Sequence, residues 1–430
     1  MIPLLRRQAT LAALLVLAVA GAPAPAAAEE DVPGCSAPGS PPDPSPPEPE
    51  GEAKVDGEPR KVGWIRWNHY QTNCFSTHLS TEQMLDFTVF DQDAASISQL
   101  GKIDPEFQWR EAKFRAEGKL LCFEKPWSYK VEFLFGGFEL PQGQRFGVSS
   151  FWLEIPLWGW TAAVRAGQVT SPFSLQILEA GGNMTFMERS LAAFDIGNQT
   201  GVIVSDTAFE ERLTWTAGVF GSWVGGGSQV IVAARGTGLP LYEEGGRHVL
   251  HLELSGRYVT SPDWSQQVRA RPATNVGPYF ADTGVFQAIG SWGVDLALLA
   301  ISGPLSLQAE VLETYSPSTV SGNPNLWGWY LTAGWFLTGE TRPYERRSAL
   351  PGYPVPSGKW GAVQVAVRYF MNSLTSGNVD GGVLRDLQAG VNWYIGSMFR
   401  VDFNYGHVWL NRFGTVGNGD VYGFRLQFQI

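Results

Sequence analysis

Ten basic side chains fall on the polar phase of alternating apolar and polar runs: Lys113, Arg115, Lys119, Lys130, Arg165, Arg212, Arg257, Arg368, Arg400 and Arg425. On the wall of a water-filled space such residues do noncovalent chemistry, because a ring of Lys or Arg offsets the hydration that an anion loses in a narrow pore. Seven acids share the phase, namely Glu117, Glu132, Glu154, Glu253, Glu310, Asp386 and Asp402. Each base therefore has a plainer alternative role, as the cross-strand partner of an acid on a solvated wall. Signals for other chemistry are thin. His248 and His251 are three residues apart, which on a strand puts them on opposite faces, and His69, His78 and His407 have no partners at ligand spacing, so no metal or other cofactor is expected. No nucleophile elbow or Ser, His and acid grouping stands out, which weighs against an enzyme. Cys74 and Cys122 can form a disulfide in an oxidising compartment or remain two thiols, and Cys35 is then left over.

The elements that must position these residues are strands. At the C-terminal end Tyr422, Phe424, Leu426, Phe428 and Ile430 alternate with Arg425, Gln427 and Gln429, a period of two with unlike media on the two faces. The pattern recurs. Phe399, Val401, Phe403 and Tyr405 oppose Arg400, Asp402 and Asn404; Leu387, Ala389, Val391 and Trp393 oppose Asp386, Gln388 and Asn392, with a hairpin turn at Gly396 and Ser397. Val363, Val365, Val367 and Tyr369 share a face, as do Leu250, Leu252 and Leu254, and Tyr129, Val131, Phe133 and Phe135. A soluble sandwich would turn the apolar face inward, whereas a wide membrane barrel inverts the assignment and gives the polar face to a water-filled lumen. There is room for about sixteen such runs at roughly 23 residues per strand and connection. The expected fold is all-β, a transmembrane antiparallel β-barrel of 16 strands over residues 61–430.

The N-terminal residues favour the membrane reading. Arg6 and Arg7 precede an apolar run from Leu11 to Ala20, then Ala26, Ala27 and Ala28 before Glu29, the layout of a secretory signal peptide cleaved after Ala28. The run is far short of the roughly 20 residues that span a bilayer as a helix. Residues 29–60 are rich in Pro, Gly, Ser and acids, with too few apolar side chains to offset the entropy of ordering, and are expected to form a flexible periplasmic arm. The chain's formal charge is −10. Nine acids and two bases lie in the arm and two arginines in the leader, so residues 61–430 carry 32 acids against 27 bases. A mildly acidic barrel gives no basic face for nucleic acid.

Three blocks in order carry a family resemblance. The first is Gly167, Gln168, Val169, Thr170, Ser171, Pro172, Phe173, Ser174 and Leu175, followed by Thr185, Phe186, Met187, Glu188, Arg189, Ser190 and Leu191. The second runs from Phe336 through Gly339, Glu340, Thr341, Arg342, Pro343 and Tyr344 to Trp360, Gly361, Ala362 and Arg368; the third is Gly390, Val391, Asn392, Trp393 and Tyr394, leading to Arg400, Asn404 and Tyr405. Together they resemble the phosphate-selective porin O and P family. The resemblance implies a homotrimer of sixteen-stranded barrels among the lipids of the outer membrane of a Gram-negative-type bacterium. It implies passive diffusion of small hydrophilic solutes, leaning to anions and phosphate. An inward loop would narrow the pore between Leu175 and Thr200, with Thr185, Glu188 and Arg189 on it. The alternatives are a non-selective diffusion channel, or a structural barrel whose acidic arm tethers periplasmic partners. Two departures bear on selectivity: Thr170 and Ser171 stand where the family often has Lys before Pro-Phe, and Asn198 stands where an Arg often precedes the next strand's Gly.

Overall fold

The computed structural model describes residues 67–135, 146–157, 161–221, 228–272 and 274–430. The expected leader and arm, with Cys35, lie outside the described residues.

The described chain is a meander. It runs through β1 (Phe75–Gln92), β2 (Glu106–Leu120), β3 (Trp127–Phe135), β4 (Phe146–Pro156), β5 (Ala163–Thr170), β6 (Asn198–Ala208), β7 (Leu213–Gly221) and β8 (Val230–Glu243). It continues through β9 (His248–Thr260), β10 (Gly290–Ser302), β11 (Leu305–Tyr315), β12 (Asn325–Phe336), β13 (Ala362–Ser376), β14 (Val379–Ile395), β15 (Phe399–Arg412) and β16 (Thr415–Gln429). Every strand pairs antiparallel with the next, and β16 returns to β1 with Asp86 opposite Arg425 and Phe87 opposite Phe424. A short strand, His69–Gln71, extends the start of β1 outside the closed ring. Closure matters because hydrocarbon offers no partner to an unpaired N–H or C=O, so a sheet can span a bilayer only without edges.

The two faces are inverted relative to a soluble protein. Leu252, Leu254, Leu296, Val311, Leu331, Val367, Leu387 and Phe403 are exposed, while their polar neighbours His251, Glu253, Asp295, Glu310, Thr332, Arg368, Gln388 and Asp402 are buried. Apolar outside and polar inside is stable only if the surrounding medium is lipid. The alternation read from the sequence therefore holds in this register, and the sixteen-stranded barrel is the observed fold.

Turns follow their chemistry. Phe413 and Gly414 both have positive φ, 52° and 74°, as a two-residue turn between β15 and β16 requires. Gly167 has φ +141°, and a Cβ there would stand 2.0 Å from the Phe151 carbonyl oxygen, so β4 and β5 approach where only glycine fits. After β1 comes α1 (Ala94–Leu100), capped by Asp93, whose Oδ1 accepts from the Ser96 amide at 2.6 Å. Long connections are expected on the outer side of the membrane and short turns on the periplasmic side. Two long segments matter for function. Residues 171–197, between β5 and β6, enter from the long-connection end; residues 337–361, between β12 and β13, enter from the short-turn end.

Candidate functional site: a loop stapled across the lumen

Residues 171–197 form one helical turn, α2 (Leu175–Leu178), and two 3-10 turns. Most of the loop's carbonyl oxygens therefore lack regular partners and need donors from elsewhere. The barrel wall supplies them. Arg400 donates through Nη1 to the carbonyls of Gly182 at 3.1 Å and Met184 at 2.8 Å, and through Nη2 to Thr185 at 3.3 Å. Arg425 reaches the Met187 carbonyl at 2.6 Å, Arg368 that of Glu188 at 3.0 Å and Arg257 that of Phe194 at 2.7 Å. Asn392 and Asn372 donate to the carbonyls of Thr185 and Ser190. A guanidinium carries five N–H donors in a fixed fork, which suits it to this work.

Charge and packing complete the docking. Glu188 on the loop pairs with Arg110 and Arg425, each at 2.8 Å, and Arg425 is held bidentate by Asp86 at 2.7 Å. Arg400 is fixed by Asp402 at 2.6 Å. Phe173 and Phe186 lie beneath the guanidiniums of Arg257 and Arg368, at 4.2 Å and 4.4 Å from ring centre to charge. At the loop's start the Ser174 hydroxyl and the Gln176 amide donate to Glu310.

The ten bases read from the sequence thus separate by environment. Arg257, Arg368, Arg400 and Arg425 are on the lumen face, but the loop covers them; the side chains of Arg400 and Arg425 are 2% exposed. They line the loop's underside and not the open lumen. Arg212 lies in the turn between β6 and β7, exposed at the rim, donating to the Tyr242 carbonyl at 3.3 Å. Lys113, Arg115, Lys119, Lys130 and Arg165 stand on the lumen face of β2, β3 and β5 and keep contact with solvent; the Arg165, Arg115 and Lys130 side chains are 36%, 26% and 21% exposed. On the loop, Thr185 and Glu188 are buried against the wall, and half-buried Arg189 donates to the loop's own carbonyls at Gln176 and Glu179. Cys74 and Cys122 are exposed thiols beside each other at the short-turn end, where the Cys122 thiol donates to the Cys74 carbonyl at 3.4 Å.

The sequence reading missed a second inward segment. From residues 337–361, Arg342 crosses to Glu179 of the first loop at 2.6 Å and to Gln308 at 2.7 Å. The Tyr344 hydroxyl meets His251 Nδ1 at 2.8 Å. Arg235, paired with Glu253 at 2.6 Å, donates to the carbonyls of Ser348 and Ala349. The signal was available in part. Arg235 sits on the polar phase of β8, and Arg342 and Tyr344 lie in the block that carried the resemblance, in a connection far longer than other turns at that end.

At the base of the first loop Thr170 and Asn198, two of the residues noted above as departures, meet each other. The Thr170 hydroxyl is 2.5 Å from Asn198 Oδ1, and Asn198 Nδ2 donates to the Ser149 carbonyl at 2.6 Å. A neutral hydrogen-bonded pair stands there.

A closed sixteen-stranded barrel with a lipid-facing exterior, a polar interior and an inward loop is an outer-membrane porin in architecture. The sequence profile of the family described as phosphate-selective porin O and P matches residues 82–430, and the chain belongs to that family. An uncharacterised protein of Caulobacter vibrioides is 28% identical over 182 residues, 41% of this chain and 37% of that protein's length. Among solved structures the fold is similar to a loop-L8 deletion mutant of OmpT, an outer-membrane protein of Vibrio cholerae (TM-score 0.54, 11% identity, 83% of this chain and 100% of that one). It is also similar to the outer-membrane channel DcaP of Acinetobacter baumannii (0.51, 12%, 84% and 99%) and to an anion-selective porin of Comamonas acidovorans (0.50, 12%, 82% and 100%).

Proposed function

We propose that the protein forms a water-filled channel through the outer membrane for passive diffusion of small hydrophilic solutes, with a weak leaning to anions and no dedicated phosphate site. The observation that carries this reading is the division of labour among the basic residues. The buried arginines serve loop carbonyls, while Lys113, Arg115, Lys119, Lys130 and Arg165 remain solvent-accessible on one lumen wall. In each pair on this wall the base is more exposed than its acid, Arg165 and Arg115 against Glu154 and Glu132, so a solute in the lumen meets the cationic ends first. The anion-selective porin of Comamonas acidovorans, similar in fold, agrees with a leaning of that sign. The neutral Thr170 and Asn198 pair weighs against phosphate specificity, which needs a concentrated positive field. Family and barrel together favour a channel over an enzyme.

The same reading includes export by a leader ending at Ala28, an arm of residues 29–60, and a homotrimer. A trimer form of the similar Vibrio cholerae OmpT supports the last. The deciding experiment is single-channel recording of purified protein in a planar bilayer under a KCl gradient, followed by phosphate titration. A weakly anion-selective current that phosphate does not block is expected. A current blocked by low phosphate would restore the specialised reading, and a folded barrel without current would refute the channel.

A further inference from the structure

The solvent-facing wall has a pattern that a simple anion pore does not need. Across neighbouring strands Glu82 is opposite Lys113, Arg115 opposite Glu132, Glu117 opposite Lys130, and Glu154 opposite Arg165. Two ion pairs follow this register, Arg115 to Glu132 at 2.7 Å and Arg165 to Glu154 at 2.6 Å, and two run along a strand between residues two apart, Lys113 to Glu111 at 2.8 Å and Lys130 to Glu132 at 3.2 Å. Arg165 is further oriented by the Trp152 ring, 4.2 Å beneath its guanidinium. The five bases Lys113, Arg115, Lys119, Lys130 and Arg165 share this wall with five acids, of which Glu117 and Glu154 keep contact with solvent and Glu82, Glu111 and Glu132 are buried between the bases. Asp86 and Arg110, further under the loop, are taken up by Arg425 and Glu188.

We infer that the channel favours zwitterionic solutes, small molecules carrying one cationic and one anionic group a few ångströms apart, over inorganic anions, phosphate included. The inference rests on the channel reading above. Alternating charges spaced by the roughly 5 Å between facing residues cancel one another at longer range, so a lone anion finds attraction only near one side chain and repulsion at the next. A zwitterion matches the alternation. Its carboxylate replaces Glu154 on the Arg165 guanidinium while its ammonium takes up the displaced carboxylate, so no charge is left unpaired as the solute passes. Partial exposure of both partners makes the Arg165–Glu154 pair exchangeable, since solvated ion pairs are weak, whereas Glu111 and Glu132 are buried and hold their bases in place. The buried Arg425–Asp86 and Arg400–Asp402 pairs cannot act in this way beneath the loop.

Liposome swelling with reconstituted full-length protein tests the inference, using glycine and γ-aminobutyrate as zwitterions, uncharged polyols of matched size, and sodium phosphate. The zwitterions are expected to enter about two- to fivefold faster than the matched polyols, the range that one exchangeable surface pair supports. The triple variant Glu117→Gln, Glu132→Gln, Glu154→Gln should lose that advantage and shift the KCl reversal potential strongly towards anions. Retention of the heat-modifiable band on gels verifies that the variant folds. Zwitterions entering no faster than polyols through a conducting wild-type channel would overturn the inference and leave the channel reading intact. Absence of KCl current from folded wild-type protein would overturn both.

Discussion

Replacing Arg400 by Met, together with Asp402 by Asn, removes one staple while keeping most of the side-chain volume and leaving no buried charge behind. Arg400 makes four hydrogen bonds, three to loop carbonyls and one to Asp402. Bonds from a charged donor contribute about 1.5–3 kcal/mol each, but freed carbonyls beside a wet lumen recover part of this from water. The net loss from loop docking is about 3 kcal/mol. At 1.4 kcal/mol per factor of ten, the undocked loop becomes about a hundredfold more populated. Two assays read that change. Single-channel traces should gain brief upward steps and current noise as the loop leaves the lumen. Trypsin should cut after Arg189, which the docked loop protects by holding its guanidinium on the Gln176 and Glu179 carbonyls. A correctly folded variant with wild-type noise and no cut at Arg189 would refute the claim that the wall arginines hold the loop. The single variant Arg400→Met should be worse than the double by several kcal/mol, because it strands the Asp402 carboxylate.

Arg342→Gln breaks the ion pair with Glu179 that ties the two inward segments together, so conductance should rise and become noisier; an unchanged trace means the second segment does not narrow the passage. Gly167→Ala places a methyl 2.0 Å from the Phe151 carbonyl oxygen in a backbone conformation alanine resists, and the fraction of heat-modifiable folded barrel should fall sharply in refolding trials. Asp93→Ala removes the α1 cap and the bonds to Asn418 at 3.0 Å, costing about 1 kcal/mol of local stability, measurable as faster amide exchange in Ala94–Leu100. The Ser96 amide is the main influence holding the Asp93 carboxyl below the ordinary range. This contribution is therefore present above the unfolded-state pKa and lost as pH falls through the lower folded value, so the wild-type and alanine exchange rates should converge in acid. Oxidised protein should carry a Cys74–Cys122 disulfide, seen as alkylation of both thiols only after reductant; full labelling without reductant would show a stable dithiol.

The period-two pattern made the barrel legible in the sequence. A membrane barrel has two media, and each side chain must match one of them, so local alternation already fixes which face is which. Leu387, Val391 and Trp393 are exposed and Asp386, Gln388 and Asn392 buried as that alternation requires, and Arg368, Arg400 and Arg425 are buried on the polar phase. The two departures from the family pattern could likewise be seen residue by residue.

Alternation along a strand says that a side chain faces the lumen and nothing about what occupies the lumen there. Arg400 meets the Gly182 carbonyl across 218 positions of sequence and Arg425 meets Met187 across 238. Those partners depend on how the loop crosses the barrel, which no local pattern encodes. The second inward segment, with Arg342 on Glu179 and Tyr344 on His251, was hidden for the same reason. The sequence by itself determined the strands, their two faces and the membrane as surroundings, because these are local consequences of burial. Only the tertiary structure decided which arginines hold the loop and which meet solute, because the same lumen-facing guanidinium does either task according to whether a loop carbonyl or water stands before it.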